Sequence, residues 1–102
     1  MTTQALPIPI GKPFLSRGVN ALMGENLPFL EFVLSCLRRH VNGDWGEVDE
    51  EDMRTNDYAL VHGHRLLSAY QDPRFTGHGQ SSLWIITEAD RVTTTILFPD
   101  EY

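Results

Sequence analysis

Between residues 26 and 42 the apolar positions recur at helical spacing. Leu30, Val33, Leu34, Leu37 and Val41 fall at i, i+3, i+4, i+7 and i+11, which is one stripe of a 3.6-residue helix. Phe29, Phe32 and Cys36 widen that stripe, so this helix is expected to be central. Asn26 can cap its start and Pro28 is tolerated in its first turn. Arg38, Arg39 and His40 suit the negative end of its dipole, and Asn42-Gly43 is a natural stop. A short strand at 13–15 and a helix over roughly 17–24, capped by Ser16, come before it. A third helix fits 49–62, with Asp49 as cap, Glu50, Glu51 and Asp52 in the first turn, and Gly63 as stop. Met53, Asn56 and Leu60 share one of its faces. If Asn56 is buried there it must be hydrogen-bonded, and the Gly43–Gly46 backbone is its expected partner.

The last forty residues change period. Residues 65–71 alternate, with Leu66, Ser68 and Tyr70 on one face and Leu67 and Ala69 on the other. Residues 72–80 read as a loop. The β-rich runs 83–87 and 92–98 flank Glu88-Ala-Asp-Arg91, a polar hairpin turn whose tip would hold a local ion pair. The expected order is β-α-α-α-β-β-β: an α+β domain with an antiparallel three- to four-stranded sheet packed against helices. Residues 12–102 would form this single domain, and residues 1–11, with Pro7, Pro9 and Gly11, a flexible lead-in.

Charge narrows the candidate functions. The chain has 102 residues, 14 acidic against 8 basic, and a net charge of −6. Tracking phosphates requires surplus Lys and Arg, so direct nucleic-acid binding is not expected, whereas a basic protein surface is a natural partner. The longest apolar stretch, residues 27–37, is interrupted by Pro28, Glu31 and Ser35 and is too short to span a bilayer. With one cysteine, Cys36, and no signal-peptide pattern, the expectation is a cytoplasmic protein.

The stretch 43–57, GDWGEVDEEDMRTND, concentrates this acidity. Trp45 lies between glycines, where it is either a plug over the core or an exposed anchor of the kind enriched at binding hot spots. His62-x-His64 lacks a third ligand at diagnostic spacing, so no metal and no cofactor is expected. Enzymatic chemistry would have to be built from His40, Asp44, Arg65 and Tyr70, with Asn56 nearby. Small ribonucleases use His, Arg and Tyr, and the element order loosely resembles RelE-type folds, although those are typically basic.

Taken together, His40-x-x-Gly43-Asp44-Trp45-Gly46, Asp52-x-x-x-Asn56, Arg65-Leu-Leu-Ser-Ala-Tyr70, Trp84-Ile-Ile-Thr-Glu88-x-Asp90-Arg91, Thr94-Thr95 and the terminal Pro-x-Glu-Tyr102 resemble a family of small proteins. These are carried on bacterial plasmids, prophages and integrative elements and are often labelled plasmid-related or as a type I restriction subunit. The chain departs from the family pattern at Ser16-Arg17-Gly18-Val19, where a Thr-Pro-Gly-Ala-like start is usual, and at His64, where a small residue is expected. The resemblance implies a mobile-element protein that engages host or rival machinery, such as an inhibitor or modulator of a CRISPR or restriction system. On that reading Asp44, Trp45, Glu47, Asp49, Glu50 and Glu51 form a partner surface, with Glu88, Asp90 and Arg91 as a second one. The alternatives are the small enzyme and a structural accessory that oligomerises, as a homodimer for example, through a sheet edge.

Overall fold

The computed structural model describes residues 6–76 and 82–102. Strand β1 (Lys12–Leu15) leads into helices α1 (Arg17–Glu25), α2 (Leu27–Val41) and α3 (Glu50–His62). Strand β2 (Leu66–Tyr70), a one-turn helix α4 (Pro73–Thr76), strands β3 (Leu83–Thr87) and β4 (Thr93–Leu97) and a 3₁₀ turn (Pro99–Glu101) complete the chain. The expected loop at 72–80 thus holds α4, and residues 77–80, with His78, lie outside the described residues.

The fold is α+β, but its sheet is mixed. The strand order is β1-β4-β3-β2, with β2/β3 and β3/β4 antiparallel and β1/β4 parallel. The expected all-antiparallel sheet fails at β1 because that strand runs into a helix and not a hairpin. Three helices then carry the chain across to the far edge, where β2 starts the meander.

The helices cover one face of the sheet. Leu66, Ser68 and Tyr70 of β2 are fully buried on that face. Val19, Phe29, Val33 and Cys36 from α1 and α2 pack with Tyr70, Leu83, Ile85, Ile96 and Phe98 in the main core. The buried row of α2 is Phe29, Val33, Cys36 and His40, whereas Leu34 is 51% exposed. The expected stripe was therefore set at the wrong angle. Apolar residues cover most of this helix, so periodicity alone cannot choose its inward side, and a polar residue, His40, occupies an inward position. On α3 the buried residues are Asn56 and Ala59, and Met53 faces outward.

Within the lead-in, Ile8 joins the smaller core. Ile8 is 3% exposed, packs with Trp45, Ala59 and Leu66, and donates its N–H to Val41 O at 2.7 Å. Residues 1–5 lie outside the described residues.

The C-terminal turn meets the start of α1. Ser16 Oγ accepts from Val19 N at 3.2 Å. The Glu101 carboxylate accepts from Gly18 N at 2.8 Å, from Phe98 N at 2.9 Å and from the Ser16 hydroxyl. A carboxylate at a helix N-terminus satisfies orphan N–H groups and complements the dipole. Gly18 makes room for it, since a Cβ there would lie 2.8 Å from Glu101 Oε2.

Glu101→Ala is expected to cost about 1–2 kcal/mol, read as a lower thermal midpoint by circular dichroism. Gly18→Ala should also destabilise, although Ala is the better helix former by up to about 1 kcal/mol. The double variant should lose no more than the worse single one, and simple additivity would show that the two positions act independently.

Candidate functional site

The sequence motifs converge on the outer edge of β2. In an antiparallel ladder alternate residues turn their N–H and C=O away from the partner strand. On β2, whose one sheet neighbour is β3, these are Leu67 and Ala69, followed by Gln71. Asn56 serves Leu67: its Nδ2 donates to Leu67 O at 2.8 Å and its Oδ1 accepts from Leu67 N at 3.1 Å. The Gly43–Glu47 loop serves Ala69, whose N–H donates to Trp45 O at 3.1 Å and whose O accepts from Glu47 N at 2.6 Å. Glu47 Oε1 accepts from Gln71 N at 2.6 Å. Asn56 thus pins the strand and not the Gly43–Gly46 loop as expected, and the loop docks one residue pair further along the same edge.

That loop needs unusual backbone. Gly46 has φ +77°, and a Cβ on it would sit 2.1 Å from Ala69 O. Asp44 closes the turn with Oδ1 on Gly46 N at 3.1 Å, and Arg39 holds the same carboxylate through Nε at 2.8 Å and Nη2 at 3.2 Å. The Arg39 guanidinium is the main cause that holds the Asp44 pKa below its ordinary value. Arg39 also lies over the Tyr70 ring at 4.8 Å, and the Tyr70 hydroxyl donates to Asp44 O at 2.7 Å. Trp45 is 4% exposed, with its Nε1–H on Asp57 Oδ1 at 2.9 Å. It is a plug, so its ring is not an exposed anchor.

Behind the loop runs a buried polar chain. His40, with no exposed surface, has Nδ1 2.6 Å from Ser68 Oγ and Nε2 2.8 Å from Thr87 Oγ1. Thr87 Oγ1 is 2.7 Å from Thr94 Oγ1, and the Thr94 hydroxyl donates to Ile10 O at 2.8 Å. Each hydroxyl has one proton, so the carbonyl at the end fixes the directions as far as His40 Nε2, and the Nδ1–Ser68 direction follows from the charge of the ring. Thr94 donates to Ile10, Thr87 to Thr94 and His40 Nε2–H to Thr87, and Nδ1 accepts from Ser68. The chain fixes a proton on Nε2, and burial keeps the ring neutral, so that Nδ1 is the acceptor. Burial, aided by the Arg91 charge, lowers its pKa from 6.5 to about 4.

The residues considered for catalysis do not converge. His40 and Tyr70 are buried and engaged, and Asp44 is held by Arg39. Arg65 lies on the other face of the sheet, 3.8 Å from Glu88 Oε1 and over the Tyr102 ring at 5.3 Å. A groove of about 200 Å³ beside it is lined by Asp52, Thr55, Asn56 and Leu67, and the Asn56 amide there is already bonded to Leu67. The Cys36 thiol is buried, and burial pushes its pKa up to about 12, far from nucleophile range. Among the described residues no group of three or more His, Cys, Asp or Glu could hold a metal ion. His62 and His64 instead surround Tyr58, stacked at 4.0 Å and edge-on at 5.7 Å respectively.

The two surfaces expected to bind a partner are separate. Asp49 caps α3 through Asp52 N at 2.7 Å, and Glu50, Glu51 and Asp52 are exposed in its first turn. The second group sits at the opposite end of α3, about 18 Å away at 1.5 Å per residue. There Asp90 Oδ1 accepts from Val92 N at 3.0 Å and Glu88 pairs with Arg65. Arg91 does not form the expected hairpin-tip ion pair. With φ 62°, it turns its guanidinium inward to the carbonyls of His64 at 2.7 Å, Glu88 at 3.0 Å and Ala59 at 3.3 Å, closing the C-terminus of α3. Sequence reasoning missed Arg39, Ser68 and Thr87 as members of this network. Nothing in their spacing marks them, because their partners are 5, 28 and 47 residues away.

The chain was compared with protein-family models, curated proteins and solved structures, and it matches none of them. The resemblance to mobile-element proteins rests on the motif residues alone.

Asn56→Leu leaves two backbone groups of β2 without partners and should cost about 2–4 kcal/mol, measured as a shift in the urea midpoint at constant m. For His40, the unfolded chain takes up a proton near pH 6.5 and the folded chain only near 4. Its contribution is complete above pH 6.5, falls as pH drops and levels off below about 4. The total loss is about 3 kcal/mol by linkage. Urea midpoints across that range test the slope, and the NMR shift of the His40 ring protons should titrate near 4.

Proposed function

We propose that the protein is a small non-catalytic interaction module that binds a basic protein surface through the anionic first turn of α3. One observation carries this reading. Glu50, Glu51 and Asp52 are exposed together, with the Glu50 side chain 86% accessible, and the ion pair of this turn is the solvated contact of Glu50 with Arg54 at 3.6 Å. The motif residues around them are engaged within the fold. In a chain of net charge −6, such a turn draws cationic surfaces by long-range attraction and repels nucleic acid. The resemblance to mobile-element proteins supports a partner among defence machinery, CRISPR or restriction, whose nucleic-acid clefts are basic. An enzyme built on His40, Asp44, Arg65 and Tyr70 would need them in one concave site, which is not the arrangement found.

A tagged chain, pulled from nuclease-treated host lysate, should bring down one stoichiometric partner. The Glu50→Lys, Glu51→Lys variant keeps the Asp49 cap and should fold like the parent while losing that partner; added salt should weaken the complex. A partner that survives the charge reversal would move the surface elsewhere, and recovery of no partner would remove the reading.

A further inference from the structure

One edge of the sheet is covered and the other is blunted. The β2 edge is covered by Asn56 and the Gly43–Glu47 loop. On β1, Lys12 N and Ser16 N donate to Val92 O and Ile96 O of the β4 side. By alternation Lys12 and Phe14 face β4, and Pro13 and Leu15 face outward. Pro13 has no N–H to offer, which blunts a four-residue edge.

Helix α2 has a second apolar row besides the one in the core. Leu27, Leu30, Leu34, Leu37 and Val41 follow one another at steps of three, four, three and four, the a/d spacing of a helix–helix seam. Leu27 is 64% and Leu34 51% exposed, and the other three are half-buried. At 100° per residue this row lies about 110° round the helix from the core-facing row. Glu31 and Arg38, seven residues apart, lie about 70° further round, along one flank of the row. Among the described residues neither forms an ion pair within the chain.

We propose that the protein forms a two-fold symmetric dimer in which α2 packs antiparallel against α2 of a second copy. Leu34 sits at the axis, Leu27 of each copy meets Val41 of the other, and Glu31 of each lies beside Arg38 of the other. The charges and the burial select this arrangement. An antiparallel pair brings the same flank of both helices together, so the Glu31–Arg38 contact is made twice, as a self-complementary interface requires. A parallel pair would set that flank against the opposite one, where Val33 and His40 are already buried in their own core. The Glu31/Arg38 flank is also locally neutral in a chain of net charge −6, so two copies can approach there without the repulsion expected elsewhere.

Sedimentation velocity and light scattering over a concentration series test this directly. The mass should rise from the 11.6 kDa of one chain towards twice that value. Leu34→Glu, at an exposed position, should keep the thermal midpoint of the folded chain and stay at the monomer mass at every concentration. Glu31→Arg and Arg38→Glu should each weaken the dimer by about tenfold, the effect of two surface ion pairs reversed, and the double swap should restore it. A monomer mass for the parent at all concentrations overturns the proposal. So does a dimer that tolerates Leu34→Glu, or a double swap no tighter than the single ones.

Discussion

The outer edge of β2 carries backbone groups of Leu67, Ala69 and Gln71 that no strand pairs, and the way they are satisfied organises much of the remaining structure. Left open, such an edge costs hydrogen bonds wherever it is buried and invites pairing with other chains wherever it is not. Here a helix side chain, Asn56, and a glycine-flanked loop share the task. The loop can approach because Gly46 has no Cβ, and it holds its shape because Asp44 is clamped by Arg39 and faces Tyr70 through its carbonyl. Trp45 then seals Ile8, Ala59 and Leu66 beneath it. The stretch that looks most like a site in the sequence is largely the hinge between α2, α3 and the sheet.

Locally encoded features were legible. The caps at Ser16, Asn26 and Asp49 and the stop at Gly63 act within a few residues of themselves, and each does what its chemistry suggests. The inward face of β2 followed from strict alternation. What pattern could not fix was whatever depends on distant partners. The parallel pairing of β1 is set by the path of three helices, and the angle of α2 by which of two apolar rows meets the sheet. Its place in the last turn of α2 suits His40 to a charge on the helix dipole, yet it is a neutral core residue. Only Ser68 and Thr87, far along the chain, make its burial tolerable. The same limit applied to the candidate sites: the sequence flagged Asp44, Trp45, Asn56 and Arg91 as important without separating residues that hold the fold from residues that meet a partner.

Hydrogen-bond direction shows why the polar core is structural. A histidine acting as general acid or base must reach the reacting group, and His40 has no exposed surface. Both its nitrogens are bonded to buried hydroxyls, and the Ile10 carbonyl, which can only accept, fixes the proton on Nε2. The chain of groups also ties Ile10, ahead of β1, to the sheet and to α2. One buried imidazole therefore secures the N-terminal segment whose Ile8 completes the smaller core. A charge on that ring would set two donors facing each other at Ser68 until its hydroxyl turned away, and it would sit in the field of Arg91. Desolvation and that field both favour the neutral form.

If the motif residues are consumed by the fold, the capacity to bind must reside in side chains that the fold does not use. Three kinds of surface then need separate treatment. The sheet edges are covered or blunted, so strand addition is disfavoured on either side. The first turn of α3 keeps exposed carboxylates after Asp49 has done the capping, and an anionic turn acts at the range of the Debye length, roughly 8–10 Å in ordinary salt. The outer row of α2 acts only on contact, through Leu27 and Leu34, where burial is favourable by about 25 cal/mol per Å² of apolar surface. These last two differ in range, salt response and sequence requirement, so the proposed partner and the proposed second copy would not compete for one surface. A domain of this size can hold a rigid frame and still present two independent faces, because residues 43–47 and Asn56 take over the work that a further edge strand would otherwise do.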